Sequence, residues 1–74
     1  MKTKTYKTRS GNIQYKPVVT VKRLQKLIDE SKGFCLACGK IANGVEPDAR
    51  KYTCDNCKAE KVYGFEELLL MGLL

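Results

Sequence analysis

The chain has 74 residues, a net charge of +6 and neither histidine nor tryptophan. That length allows one domain whose apolar surface is too small to be comfortable without a further restraint. No apolar run approaches the ~20 residues needed to span a bilayer, so no membrane role is expected.

The charge is unevenly spread. Residues 1–28 hold Lys2, Lys4, Lys7, Arg9, Lys16, Lys22, Arg23 and Lys26 and no acid, whereas residues 29–74 hold six basic and eight acidic side chains. A basic lobe on a near-neutral scaffold is the footprint of a polyanionic partner; the alternative is an arm that only keeps the chain in solution.

Residues 1–19 read as a basic hairpin or arm. Thr, Tyr and Ile are good strand formers, and Gly11-Asn12 has the composition of a two-residue hairpin turn. That turn puts Ser10 opposite Ile13, Thr8 opposite Tyr15 and Tyr6 opposite Pro17 on one face, with Arg9 opposite Gln14 and Lys7 opposite Lys16 on the other. Like charges directly opposite are destabilising in a sheet, and an anion between Lys7 and Lys16 would relieve them. Pro17 has no N–H for a ladder and is expected to end the hairpin. The alternative is an arm that orders only when bound.

Residues 20–32 read as an amphipathic helix. Thr20 is a suitable N-cap, and Val21, Leu24, Leu27 and Ile28 recur at helical spacing over Val21 to Ser31. Lys22, Arg23 and Lys26 fall on the opposite face, and Gly33 is expected as the stop. The helix charges oppose the macrodipole, with Lys22 and Arg23 at the positive end and Asp29 and Glu30 at the negative end. An anion docked at the first turn would explain this; so would a tertiary partner, such as an arm lysine near Glu30.

Residues 33–63 hold every cysteine of the chain, as Cys35-Leu36-Ala37-Cys38 and Cys54-Asp55-Asn56-Cys57. Two CxxC pairs joined by fifteen residues have the spacing of a zinc site. Each pair supplies two thiolates from one tight turn, and two turns complete a tetrahedron. Four cysteines and no histidine describe a closed structural site with no open position for chemistry. A disulfide framework suits a secreted domain, but Met1 to Ser10 alternates Lys and Thr without a secretory apolar core. A redox dithiol needs one CxxC in a βαβ setting. A tetrahedral sulfur set also holds iron, which spacing alone leaves open. Thiols arranged for metal point to a reducing, cytoplasmic setting.

Phe34-Cys35-Leu36-Ala37-Cys38-Gly39 and Arg50-Lys51-Tyr52-Thr53-Cys54-Asp55-Asn56-Cys57-Lys58 together resemble a zinc ribbon. The glycine after the first pair and the aromatic two residues before the third cysteine are typical of that group. The run Gly44 to Tyr52, with Gly64-Phe65-Glu66-Glu67-Leu68-Leu69, is also similar to short uncharacterised zinc-ribbon proteins found in bacteriophage genomes. The resemblance covers about residues 33–71. It implies one zinc per chain on Cys35, Cys38, Cys54 and Cys57, and says little about function. Lys58 stands where many ribbons carry a second glycine, which predicts a slightly different second knuckle. Strands are expected within Ile41–Val45, over Arg50–Thr53 and over Ala59–Tyr63, with Phe34, Tyr52 and Val62 in the core.

Residues 64–74 read as a short C-terminal helix opened by Glu66 and Glu67. Leu68, Leu69, Leu70, Met71, Leu73 and Leu74 cover every side of it, the pattern of a buried helix. Packing against the Leu24/Leu27/Ile28 stripe is expected, with a dimer or partner contact as the alternative.

The expected fold is therefore small, metal-stabilised α+β: a basic hairpin or arm, one amphipathic helix, a zinc ribbon and a short C-terminal helix. No enzyme motif is present, and no small-molecule substrate is expected. Two functions follow. One is a regulator that binds nucleic acid electrostatically through Lys7, Arg9, Lys16, Lys22, Arg23 and Lys26, as monomer or homodimer, with Tyr6 and Tyr15 available for stacking on a single strand. The other is an adaptor or inhibitor, of a phage-effector type, that docks on an acidic protein surface.

Overall fold

The computed structural model describes residues 2–74; Met1, the start of the predicted basic segment, lies outside them. In chain order the elements are β1 (Lys2–Lys7), β2 (Ile13–Val18), α1 (Val21–Asp29), β3 (Lys32–Cys35), β4 (Ile41–Asn43), β5 (Val62–Gly64) and α2 (Phe65–Leu70). β1 and β2 form a two-stranded antiparallel sheet, and a three-stranded antiparallel sheet has the order β4-β3-β5. The fold is small α+β, with two sheets and two helices.

The three-stranded sheet divides two small cores, and the period-2 alternation of its strands assigns residues to each. Phe34, Leu36, Tyr63 and Phe65 join Leu27 and Leu68 on one side, where Tyr15, Val19, Leu24, Ile28 and Leu73 pack against them. Cys35 and Val62 join Val45, Ala49 and Cys54 on the other, with Cys38 and Ala42 alongside. The Phe34 and Phe65 rings meet edge to face at 6.4 Å. The 46–49 loop is tied to the end of β5 by the N–H groups of Gly64 and Glu67, which donate to Ala49 and Pro47.

The hairpin forms, in a register other than the one predicted. Lys4 faces Lys16, Tyr6 faces Gln14 and Lys7 faces Ile13. The turn is the three-residue loop Arg9-Ser10-Gly11. Gly11 N–H donates to Thr8, Thr8 N–H donates to Asn12 at 2.8 Å, and Gly11 takes φ +90°. This is the other common hairpin solution, a turn followed by a left-handed glycine. The offset from the predicted register is odd, so the faces exchange partners: Tyr6 and Tyr15 lie on opposite faces. Pro17 does not end β2, which runs to Val18. Tyr15 turns its N–H away from β1, to Leu36 at 2.8 Å. Pro17, two residues on, turns its nitrogen the same way and removes no ladder bond.

α1 is capped as expected, with Thr20 Oγ1 accepting from Arg23 N–H at 3.2 Å. It ends two residues before the predicted Ser31. Ser31 takes the left-handed conformation, φ 54°, and donates its N–H to Ile28 at 3.1 Å. Gly33 is thus not the stop. It lies in β3 beneath Val45, whose Cγ1 would be 2.6 Å from a Cβ placed there. Leu27 is buried and Leu24 and Ile28 pack on the core, but Val21, at the open end of the helix, is 84 % exposed.

Four other expectations change. Arg50–Thr53 is not a strand, and only Tyr52 bridges to Val62; β5 is confined to Val62–Gly64. Tyr52 is exposed at the surface with its hydroxyl donated to the Glu46 carboxylate. The C-terminal leucines divide: Leu68 is fully buried while Leu69, Leu70, Met71 and Leu74 are exposed. Glu67 takes up a buried position instead, paired with Arg50 at 2.8 Å. Leu68→Ala should therefore cost about 2–5 kcal/mol through a cavity at a closed site. Leu70→Asp should stay within about 0.5 kcal/mol of the parent chain. Denaturant melts of the two variants check both values.

Candidate metal centre and basic lobe

Cys35 closes β3 and opens a tight turn. Cys35 O accepts from Gly39 N–H at 2.9 Å, and Cys35 N–H donates to Lys40 O at 2.9 Å. The second CxxC repeats this pattern without a flanking strand. Cys54 O accepts from Lys58 N–H at 2.9 Å, and Cys54 N–H donates to Ala59 O at 2.8 Å. The residue after each pair is left-handed, Gly39 at φ 77° and Lys58 at φ 66°. The second knuckle is therefore no different in kind from the first, contrary to expectation. Lys58 accepts a conformation that costs an L-residue roughly 1–2 kcal/mol.

The two knuckles bring all four sulfurs together. Cys35 Sγ lies 3.6 Å from Cys57 Sγ and Cys38 Sγ lies 3.7 Å from Cys54 Sγ. All four lie within 4.8 Å of one another. A tetrahedron with metal–sulfur bonds of ~2.3 Å has edges of ~3.8 Å, close to the Cys35–Cys57 and Cys38–Cys54 separations. A disulfide requires ~2.05 Å, and the four cysteines are free. The donor set fits a metal ion.

The thiols are unequal. Burial pushes Cys35 up to about 12 against the lowering effect of the Cys38 and Ala37 N–H groups. The Cys57 N–H, aided by that of Asn56, pulls Cys54 down to about 6. A cation at the centre of the cluster deprotonates a coordinating thiol outright, so it would overcome the burial of Cys35. Cys35 and Cys54 are buried, Cys38 is half-buried and Cys57 is exposed.

Of the six cations predicted to meet a polyanion, Lys7 and Lys16 lie on opposite faces of the hairpin. Lys7 ends β1 opposite Ile13, and Lys16 stands on β2 opposite Lys4. Arg9 is in the turn; Lys22, Arg23 and Lys26 are exposed on α1. Lys16 is half-buried, its Nζ 6.0 Å above the Tyr6 ring. The Tyr6 hydroxyl donates to Gln14 Oε1 at 2.7 Å, and its pKa is raised by burial and by the nearby Tyr63 phenol. Among the described residues the one ion pair is Arg50–Glu67. The cations of residues 2–28 thus have no carboxylate partner, and Glu30 is not neutralised by an arm lysine. Lys2 and Lys4 lie outside the predicted contact set. The three-residue turn reading of Arg9-Ser10-Gly11 is the sequence signal that would have placed Lys4 beside Lys16.

Comparison with protein-family models, with curated proteins and with solved structures finds no match. No helix among the described residues is long and apolar enough to cross a membrane.

The knuckle geometry separates two substitutions. Gly39→Ala meets both a left-handed φ and the Tyr15 ring, 3.1 Å from the added Cβ. It should destabilise by more than about 1 kcal/mol. Lys58→Gly should stabilise by about 0.5–1 kcal/mol, once the greater chain entropy of glycine is subtracted from the relieved strain. Thermal melts of metal-loaded protein check both signs.

Proposed function

We propose that this protein is a zinc-ribbon binding protein, held by one zinc on Cys35, Cys38, Cys54 and Cys57, whose basic lobe binds nucleic acid through phosphates in a regulatory role. The two-CxxC spacing reads as a zinc site, and four cysteines supply the closed soft-ligand set that structural zinc takes; iron accepts the same set, and the metal's mass tells the two apart. The four thiols are occupied in holding the fold, so the reading is of a binding protein and not an enzyme. The observation that carries the nucleic-acid reading is the unpaired charge. The cations of residues 2–28 make no ion pair, while the remaining residues are slightly acidic.

One observation favours the second reading, an adaptor docked on an acidic protein surface. Leu69, Leu70, Met71 and Leu74 are exposed at one end of the chain, and apolar side chains of this kind serve protein contacts more often than phosphate contacts.

Native mass spectrometry should show a single zinc per chain, lost together with the fold on Cys54→Ser. Metal-loaded protein should bind duplex DNA with an affinity that falls steeply with salt. About five phosphate contacts give a log–log slope near −4 to −5, at about 0.9 per phosphate. No binding to DNA or RNA at low salt, from protein that holds its zinc, would transfer the case to an acidic protein partner.

A further inference from the structure

The hairpin carries a feature that its own stability does not explain. Lys4 and Lys16 are directly opposed on one face of the ladder. Tyr15 turns its N–H outward, so the neighbouring pairs Lys4/Lys16 and Tyr6/Gln14 are the hydrogen-bonded ones, with Cα atoms ~5.5 Å apart. Two like charges at that spacing disfavour the hairpin by roughly 0.2–1 kcal/mol. Lys2 lies on the same face and adds to the repulsion. No carboxylate forms an ion pair with these lysines. Lys16 is moreover held in place, its ammonium over the Tyr6 ring and that ring fixed by Gln14. A cation already restrained loses less side-chain freedom when it meets an anion.

The same contacts bear on the kind of nucleic acid. Binding to a single strand uses aromatic rings on which bases stack. Tyr6 has Lys16 over its ring, and Tyr15 packs on Gly39 and the core. Phe34, Phe65 and Tyr63 are buried. Tyr52, the most exposed aromatic, is tied to Glu46 on the acidic scaffold. The basic lobe therefore offers charge without a free stacking platform.

We propose that Lys4 and Lys16 form a cross-strand clamp for the phosphodiester backbone of a double-stranded nucleic acid. The proposal rests on the nucleic-acid reading above and narrows it to a pair of residues and to duplexes. Lys16 and Lys4 contact phosphate, Tyr6 positions Lys16, and bases stay stacked within the duplex.

The test measures anisotropy over a salt series, with zinc content verified, on a labelled duplex DNA, a duplex RNA of the same sequence and the single strand. Both duplexes should bind more tightly than the single strand at each salt concentration. Lys4→Ala with Lys16→Ala should flatten the duplex slope by about 1.8, at about 0.9 per phosphate. Lys4→Arg with Lys16→Arg should keep it. Lys40→Ala with Lys61→Ala removes the same charge from the scaffold and should leave the slope within error. Lys4→Gln with Lys16→Gln repeats the measurement with longer side chains should the alanine variant fail to fold. Single-strand binding as tight as duplex binding overturns the proposal, as does an unchanged slope in the double variant, and both leave the nucleic-acid reading standing. Absence of binding in all three arms overturns both.

Discussion

The convergence of Cys35, Cys38, Cys54 and Cys57 within 4.8 Å is a constraint on the backbone before it is a binding site. The chain must leave the end of β3, travel out and return with the second knuckle facing the first. Residues 39–53 are the excursion this demands, and they place Val45 and Ala49 beneath the cysteine side of the sheet. That side buries only cysteines and small apolar residues. Burying a valine contributes about 1.5–3 kcal/mol, whereas a structural zinc contributes roughly 10–16 kcal/mol. The cysteine side thus has the make-up of a candidate metal site with a thin apolar lining rather than of a self-sufficient core. The aromatic side, with Phe34, Phe65 and Leu68 fully buried, is the part that packs by ordinary apolar burial.

The two cores are coupled through single strands. Phe34 and Cys35 are neighbours on β3, and Val62 and Tyr63 are neighbours on β5, with each pair split between the two faces. Displacing Cys35 therefore moves Phe34. The hairpin joins this arrangement at its edge, through the Tyr15 N–H to Leu36 bond and the Tyr15 ring over Gly39. Gly39 serves two ends at once, turning the first knuckle and leaving room for the ring. The basic lobe is thereby seated on the residue that shapes the candidate metal centre.

Features set by covalent spacing were legible in the sequence, and those set by tertiary competition were not. The cysteine cluster follows from two tight turns, each local. The helix cap at Thr20 and the apolar positions Leu24, Leu27 and Ile28 are local too. The hairpin register is different, because Gly11-Asn12 and Arg9-Ser10-Gly11 are both acceptable turns written in overlapping letters. The choice is bound up with Tyr15 turning its N–H to Leu36, a contact with another part of the chain. The C-terminal segment defeats periodicity for another reason. Six apolar residues among seven leave no polar face to mark the outside. What sorts them is the 46–49 loop and Arg50, which claim the Glu67 side and leave Leu70 in solvent. Tyr52 departs from the expected core position for the same reason: its partner, Glu46, stands across a loop whose path the sequence does not display.

A scaffold closed by metal can tolerate local costs that a bare core of this size could not. Lys58 in a left-handed conformation costs roughly 1–2 kcal/mol, and Lys4 opposed to Lys16 costs roughly 0.2–1 kcal/mol. Against a net stability of a few kcal/mol in a small domain, such costs would be severe. Against the binding free energy of a structural zinc they would be minor. The two costs also differ in kind. The Lys58 strain sits in the backbone of the knuckle, where binding an anion does not relieve it. The Lys4–Lys16 repulsion sits on an exposed lobe without acids and is relieved by any bound anion. A chain that retains the second kind of cost gains electrostatic attraction for a polyanion in proportion, because the free energy released on neutralising the pair appears in binding rather than in folding. On the proposed reading, a metal on the four sulfurs would supply the fold, and the lobe seated beside it would be free to carry charge for a polyanion.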